Sequence, residues 1–201
     1  MISKVFEHCI VDRYCMFLVT SDNQFGFKKS VGCSHAVFTL RNVVSYYVSC
    51  NSTVNICALD LSKAFDKMNH YGLFIKLMDR QIPVQLLQLL EFWFRSGLTC
   101  VKWGDCFSAF YSQARGIRQG GVLSPYLFAL YIDSVIEKVR SSRVGCEIKL
   151  ESVGIIVYAD DILLVASTVT ALQLLLKMCE NELNWLAMSI NASKSACLRI
   201  V

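Results

Sequence analysis

The chain has 201 residues, 54% of them hydrophobic and 18% charged, with a net charge of +4. That composition excludes a disordered chain, and the length suits one sizeable domain or two small ones. The mild positive charge permits nucleic-acid binding without demonstrating it, while the apolar content suggests surface meant for missing partner domains or for another copy.

The N-terminus, "MISKVFEHCIVDRYCMF", carries Glu7, His8, Asp12 and Arg13 among its apolar residues and is not a signal peptide. No uninterrupted apolar run reaches about 18 residues, the length a membrane-spanning helix needs. The ten cysteines are scattered singly, with no C-x-x-C pair. Without a secretory leader they are expected to be reduced, mostly buried thiols of an intracellular protein. Cys33 and His35 lack a second pair at zinc-ligand spacing.

No repeat, low-complexity linker or long charge run is present. "SHAVFTLRNVVSYYVS", from Ser34 to Ser49, has apolar residues three and four apart and predicts a helix with Ser34 as a candidate N-cap. "VNICALDL", Val54 to Leu61, predicts a buried strand ending in an acid. "SKAFDKMNHYGLFIKLMDR" turns from that strand into a helix, and "PVQLLQLLEFWFRS" predicts another, with Pro83 near its first turn. "LTCVKWGDCFSAFYSQ", Leu98 to Gln113, reads as a hairpin turning at Gly104 and Asp105. A glycine-rich loop then enters a long helix in "GIRQGGVLSPYLFALYIDSVIEKVR". "SVGIIVYADDILLVAS" predicts two apolar strands joined by Ala159, Asp160 and Asp161. "TALQLLLKMCENELNWLAMSI" is an amphipathic helix, and "ASKSACLRIV" begins a final strand. Helices mixed with antiparallel hairpins give an α+β architecture.

Asp160 and Asp161 sit inside one of the most apolar stretches of the chain, where an unpaired carboxylate is costly. A tight turn between two core strands places such acids at a sheet edge, facing a cleft. Adjacent carboxylates repel, and hard oxygen ligands suit Mg²⁺ or Mn²⁺. For an isolated Asp-Asp turn, a solvated loop is the better reading. Asp60, however, leaves a second apolar strand in the same way. If the two strands are neighbours, Asp60 and Asp160 meet and can bridge two metal ions suited to in-line phosphoryl transfer.

"ALDLSKAFDKMNH", "GIRQGGVLSPYLFALYID" and "YADDILLVA" occur in that order and resemble motifs A, B and C of reverse transcriptases of LINE-type (non-LTR) retrotransposons. "QFGFKKSVGCSHAVF" resembles the fingers motif of that family, and "LNWLAMSINASKSACLRI" its motif D. The resemblance covers about nine-tenths of the chain. It implies a right-hand polymerase palm, an antiparallel sheet packed on helices, with partial fingers and no thumb. Residues 1–53 would be partial fingers and 54–201 palm, with 70–115 a candidate insertion between them, all within one reverse transcriptase domain.

The resemblance also implies roles. Asp60 and Asp160 match metal-binding aspartates, together with the Leu61 backbone, and Asp161 completes the acidic triad. Phe65 matches the bulky residue that excludes a ribose 2′-hydroxyl; without the motif a core aromatic is the better reading. Lys63 and Ala64 match positions near the incoming triphosphate, and Gln119, Gly120 and Gly121 the loop beside the nucleotide and template base. Lys28, with Lys29, matches the basic fingers segment, and Lys194 the motif D lysine, a candidate proton donor to the pyrophosphate leaving group and otherwise an exposed strand-edge lysine. Arg118 is equally a phosphate or template contact and an exposed cation, Asp66 is a candidate helix cap, and Ser124 and Pro125 fit a helix start. Lys28 replaces a more usual arginine and so lacks its bidentate fork, and Ser30 stands where glycine is common.

These matches imply an RNA-directed DNA polymerase using two Mg²⁺ or Mn²⁺ ions, with an RNA template, a DNA primer and dNTPs as partners. No membrane partner is implied, and the thumb and endonuclease domains of a longer polyprotein would be missing. The expected location is intracellular, nuclear or cytoplasmic, and not secreted. The alternative is an inactive retrotransposon remnant that binds nucleic acid weakly at most. A second alternative is another reverse transcriptase branch, such as a group II intron maturase or telomerase, and the A-F-D and R-Q-G-G-V-L-S-P wording favours the LINE branch over both.

Overall fold

The computed structural model describes residues 2–201. In chain order it contains α1 (Ile2–Tyr14), α2 (Cys33–Ser49), β1 (Val54–Leu59), α3 (Ala64–Lys67), α4 (His70–Asp79) and α5 (Val84–Ser96). An arm of two-residue strands follows: β2 (Leu98–Thr99), β3 (Lys102–Trp103), β4 (Cys106–Phe107) and β5 (Tyr111–Ser112). Then come α6 (Ser124–Ser142), β6 (Glu147–Ile148), β7 (Glu151–Ser152), β8 (Ile155–Tyr158), β9 (Asp161–Ala166), α7 (Val169–Trp185) and β10 (Ala196–Ile200).

The main sheet has the order β10-β1-β9-β8 and is antiparallel throughout. Its inner strands are apolar without alternation because both faces are covered. Val54, Ile56 and Val165 face α2 and meet its Val43. Cys57, Leu59, Ile162 and Leu164 face the other way, into a larger core with Phe128, Tyr131 and Ile132 of α6 and Leu175 and Leu183 of α7. Emptying one of these positions, as in Leu164→Ala, costs about 2–5 kcal/mol. The α+β expectation holds.

Several local readings change. Helix α2 begins at Cys33, and its N-cap is Gly32 rather than Ser34. The His35 ring nitrogen Nδ1 accepts from the Gly32 N–H at 3.1 Å, so the histidine closes this end. The single helix expected after β1 breaks into α3 and α4 at Met68 and Asn69. Asn69 Oδ1 caps the new start by accepting from the Tyr71 N–H. The break leaves backbone free to pair with a passing loop: Gly116 N–H donates to the Met68 carbonyl and Ile117 N–H to that of Phe65.

The long helix α6 starts as expected at Ser124 and Pro125, but an unforeseen partner caps it. The buried Glu7 carboxylate of α1 accepts from the Val122 and Leu123 N–H groups, countering the positive end of the helix. The hairpin reading of the arm is met: β3 and β4 pair around Gly104, whose φ is +59°.

The cysteines depart from expectation. All ten are free, but only Cys57, Cys146 and Cys179 are buried, and six are exposed. Those six lie on helices, in loops, on the arm strand β4 and on the edge strand β10, where nothing covers them. Burial drives the Cys57 and Cys179 thiols up to about 12 and Cys146 to about 11, which keeps them protonated and unreactive. Among the described residues, no helix is long and apolar enough to cross a membrane.

Candidate active site

The register of the two central strands brings the acids together. Leu59 of β1 lies opposite Ile162 of β9. The next residue outward on each strand is therefore Asp60 and Asp161, at one end of the sheet. Tyr158 pairs with Asp161 and closes a two-residue turn of Ala159 and Asp160, so Asp161 is the first residue of β9 rather than part of the connection. Ala159 has a φ of +57°, which lets the chain reverse within that turn.

Electrostatics report the same convergence. Asp161 is exposed at the sheet end, yet its carboxyl is held above the usual carboxylate range. Partial desolvation is the largest cause, followed by the charges of Asp160 and Asp60. Asp161 thus lies within reach of the charges of the other two carboxylates.

The segment after α7 fixes the exit of β1. Asp60 N–H donates to Ser195 Oγ at 3.2 Å, and the Asp60 carbonyl accepts from Asn191 N–H at 2.8 Å. Ser62 N–H donates to the Ser189 carbonyl at 2.9 Å. None of these bonds uses the Leu61 carbonyl. Lys194 reaches the site as well, with Nζ 4.0 Å from Asp60 Oδ2. Its side chain is 68% exposed, so this pair adds little stability and the lysine is free to move.

An aromatic cluster follows motif A. Phe65 is half-buried, with its ring stacked on Phe128 of α6 and met edge-on by Phe27. One face of the Phe65 ring thus belongs to the core, as expected of an aromatic read without the motif. Ala64 is buried and can offer only backbone, whereas Lys63 is exposed in the left-handed region, with φ +51°.

The motif B loop is tied to motif A. Gln119 Nε2 donates to Asp66 Oδ1 at 3.1 Å, and His70 Nε2 bonds the Gly116 carbonyl at 2.6 Å. Asp66 therefore orients a loop amide rather than capping α3. Gly116 is required where it stands: its φ is +82°, and a Cβ would lie 2.8 Å from the Asp66 carbonyl oxygen. Gly120 has φ +77° and open space around it. A cavity of about 700 Å³ lies behind this loop, between Asp66, Trp93, Phe94 and Gln119, and does not include the three aspartates.

Lys28 and Arg118 are engaged elsewhere. Lys28 Nζ donates to the Ser21 carbonyl at 2.7 Å, and its partial burial lowers its pKa. Arg118 reaches Ser3 Oγ on α1 at 3.4 Å. The structure thus gathers Asp60, Asp160, Asp161 and Lys194, and separately Phe65, Asp66 and Gln119, while Lys28 is held within its own loop.

The acids suit a hard divalent cation by donor chemistry. Among the described residues, no three acidic, histidine or cysteine side chains form a ready-made metal cage. Two carboxylates and a backbone carbonyl are nevertheless the sparse donor set that Mg²⁺ accepts when substrate phosphates and waters supply the rest. The charge crowding at Asp161 is what such an ion would relieve.

A family profile described as "Reverse transcriptase (RNA-dependent DNA polymerase)" matches residues 1–199. The chain belongs to the reverse transcriptase family. The domain is 29% identical over 175 residues to the Pol polyprotein of the type-2 retrotransposable element R2DM of Drosophila melanogaster, covering 85% of this chain and 16% of that protein. It is 31% identical over 137 residues to the probable RNA-directed DNA polymerase from transposon X-element of the same fly, covering 65% of this chain and 15% of the relative. With the polymerase of the mobile element jockey of Drosophila funebris it shares 27% over 210 residues, covering 97% of this chain and 22% of the relative. These relatives are non-LTR elements, the branch the motif wording resembled, and the domain spans less than a quarter of each.

The fold is the polymerase palm. Apo telomerase from Candida tropicalis, truncated of its C-terminal domain, superposes with a TM-score of 0.68 at 14% identity, covering 98% of this domain and 41% of that chain. Telomerase from Candida albicans, in complex with a fragment of telomeric RNA, superposes with a TM-score of 0.67 at 13% identity, covering 98% and 33%.

Two residues escaped the sequence reading. Glu7 caps the helix that follows motif B, and Gln24 lies fully buried against the Asp160 turn. Gln24 was visible as part of "QFGF", but no local pattern announces a contact between residues 135 apart.

Proposed function

We propose that this domain is the catalytic palm, with part of the fingers, of an RNA-directed DNA polymerase that extends a DNA primer on an RNA template. The observation that carries the reading is the convergence of Asp60, Asp160 and Asp161 at one sheet end, with Asp161 loaded by the other two charges. Asp60, Asp160 and the Leu61 carbonyl would hold two Mg²⁺ or Mn²⁺ ions. Such ions, when bound, stabilise the attacking and leaving oxygens of phosphoryl transfer.

The chain's own residues supply the remainder. Phe65 bounds the sugar side of the dNTP, with its ring held from behind by Phe128. Gln119, fixed by Asp66, presents its amide oxygen beside the nucleotide, and Gly120 lets backbone approach closely. Lys63 lies one residue before α3, near the triphosphate. Lys194, close to Asp60 and loosely held, can deliver a proton to the departing pyrophosphate. Lys28 would reach the triphosphate only by giving up its Ser21 contact. Residues 1–53 form the fingers part and 54–201 the palm, and thumb and endonuclease segments belong to the longer protein.

Primer extension on an RNA template, in the full reading frame, tests this. Mg²⁺-dependent extension is expected, lost in Asp160→Asn with primer–template binding retained. No extension by the wild type, with fold and binding intact, identifies an inactive remnant instead.

A further inference from the structure

The segment from Asn23 to Phe27 adds itself to the free edge of β8. Val157 N–H donates to the Asn23 carbonyl at 2.8 Å, and Phe25 N–H donates to the Val157 carbonyl at 2.7 Å. Asn23 Nδ2 donates to the Ile155 carbonyl at 2.7 Å, a little further along the same strand. This run stops at the turn that carries Asp160.

There Gln24 replaces the ladder with side-chain bonds. It is wholly buried. Its Oε1 accepts from the Ala159 N–H at 3.2 Å and from the Gly26 N–H at 2.8 Å. Its Nε2 reaches the Ala159 carbonyl at 3.5 Å. One amide therefore holds both polar groups of Ala159, the residue whose left-handed φ of +57° makes the turn. Gly26 completes the cradle. A Cβ on it would lie 2.2 Å from the Ala159 nitrogen, so only glycine permits this approach.

The arrangement fixes the residue immediately before Asp160 from outside the sheet. A positive φ on alanine is uncommon and persists only where surroundings enforce it. Released, Ala159 would relax toward ordinary backbone, and Asp160 would turn with it. Removing Gln24 would also leave the buried Gly26 N–H and the partly buried Ala159 N–H without this partner, which drives the local backbone to rearrange.

We propose that Gln24 is a positioning residue: through Ala159 it holds the Asp160 carboxylate in the orientation that binds a divalent cation together with Asp60. The inference rests on the metal-holding role given to those two aspartates, and extends it to a fingers residue that touches neither metal nor substrate.

The probe is Mn²⁺ alone, its free concentration followed by electron paramagnetic resonance during titration of the chain. The wild type should bind Mn²⁺ and Asp160→Asn should not. Gln24→Met keeps shape but loses every hydrogen bond, and should weaken binding on the order of 10- to 100-fold, the usual effect of losing a residue that orients a ligand. Gly26→Ala should weaken it comparably by pressing on Ala159. Asn55→Leu is the control for mere destabilisation: Asn55 is buried at the far end of the same sheet, bonding the Ala166 and Ser167 carbonyls, and its loss should leave Mn²⁺ affinity unchanged.

If Gln24→Met does not fold, Gly26→Ala carries the test. Wild-type affinity in every folded variant of Gln24 and Gly26, with Asp160→Asn still defective, overturns the positioning role and leaves the metal site standing. An equal loss in Asn55→Leu overturns it too, as a general effect of weakened folding. Binding in Asp160→Asn equal to wild type, or no binding by the wild type, overturns the metal reading itself.

Discussion

The ring of Phe65 lies on that of Phe128 with centroids 4.5 Å apart and planes 18° from parallel. Phe128 is fully buried on α6, while Phe65 is only half-buried. The core thus supplies the wall that keeps the half-buried ring in place. Phe65→Val should raise ribonucleotide incorporation in primer extension, with a modest stability loss. Phe128→Ala should also raise it, because the unsupported ring can swing away, and should cost about 3–5 kcal/mol of stability. An unchanged ratio of kcat/KM for dNTP over rNTP in Phe65→Val removes the sugar-gating role.

The Asp161 carboxyl has a pH signature. Its folded pKa is raised, by partial desolvation first and then by Asp160 and Asp60. The folded state therefore binds this proton more tightly than the unfolded chain, and the group's contribution to stability falls as pH rises through and just above the usual carboxylate range. At neutral pH the crowded charge is a net destabiliser. Asp161→Asn should raise Tm at pH 7, with the gain shrinking toward acid pH. Mg²⁺ should raise the Tm of the wild type more than that of the variant. A lower Tm at pH 7 for Asp161→Asn in scanning calorimetry contradicts the crowding.

Asp133 on α6 is buried and accepts from the Ser21 N–H at 2.9 Å while pairing with Arg80 of α4. Arg80 also donates to the Val19 carbonyl at 2.7 Å. This pair pins the loop that carries Lys28. Asp133→Ala strands a partly buried guanidinium and should cost about 3–5 kcal/mol in urea unfolding. The double variant Arg80→Met, Asp133→Leu should lose less than Asp133→Ala alone. Equal losses would show that the uncompensated charge is not the cause.

The grip on nucleic acid should be weak in this chain alone. Affinity for a primer–template grows with the number of phosphate contacts, and a net charge of +4 offers only general attraction. Fluorescence anisotropy should give micromolar or poorer binding at physiological salt, about the non-specific range. Nanomolar binding there would place the grip within these residues. Restoring the segments that follow in the reading frame should tighten binding, and Asp160→Asn should not loosen it.

What the sequence determined by itself is whatever depends on neighbours along the chain. Apolar runs ending in acids announced β1, β8 and β9 and placed Asp60 and Asp160 at strand ends. Spacing of three and four announced α2, α5 and α7, and Gly104 the arm's turn. The ordered motifs pointed to the family. Tertiary structure decided what depends on contacts far apart in sequence. Leu59 opposite Ile162 is a register choice, and only that choice converts two isolated acidic sites into one. The split of α3 from α4 answers a loop 50 residues away, and the α6 cap comes from Glu7. Phe65 became half core because Phe128 arrived beneath it, and Lys28 was drawn to Ser21 by the fold of its own loop. Six cysteines stayed exposed because a residue's apolar character favours burial without specifying which surface is covered. Gln24 shows the limit most plainly. Its polarity suggests solvent, yet the β8 edge and the Ala159 turn give its amide the partners that make burial stable.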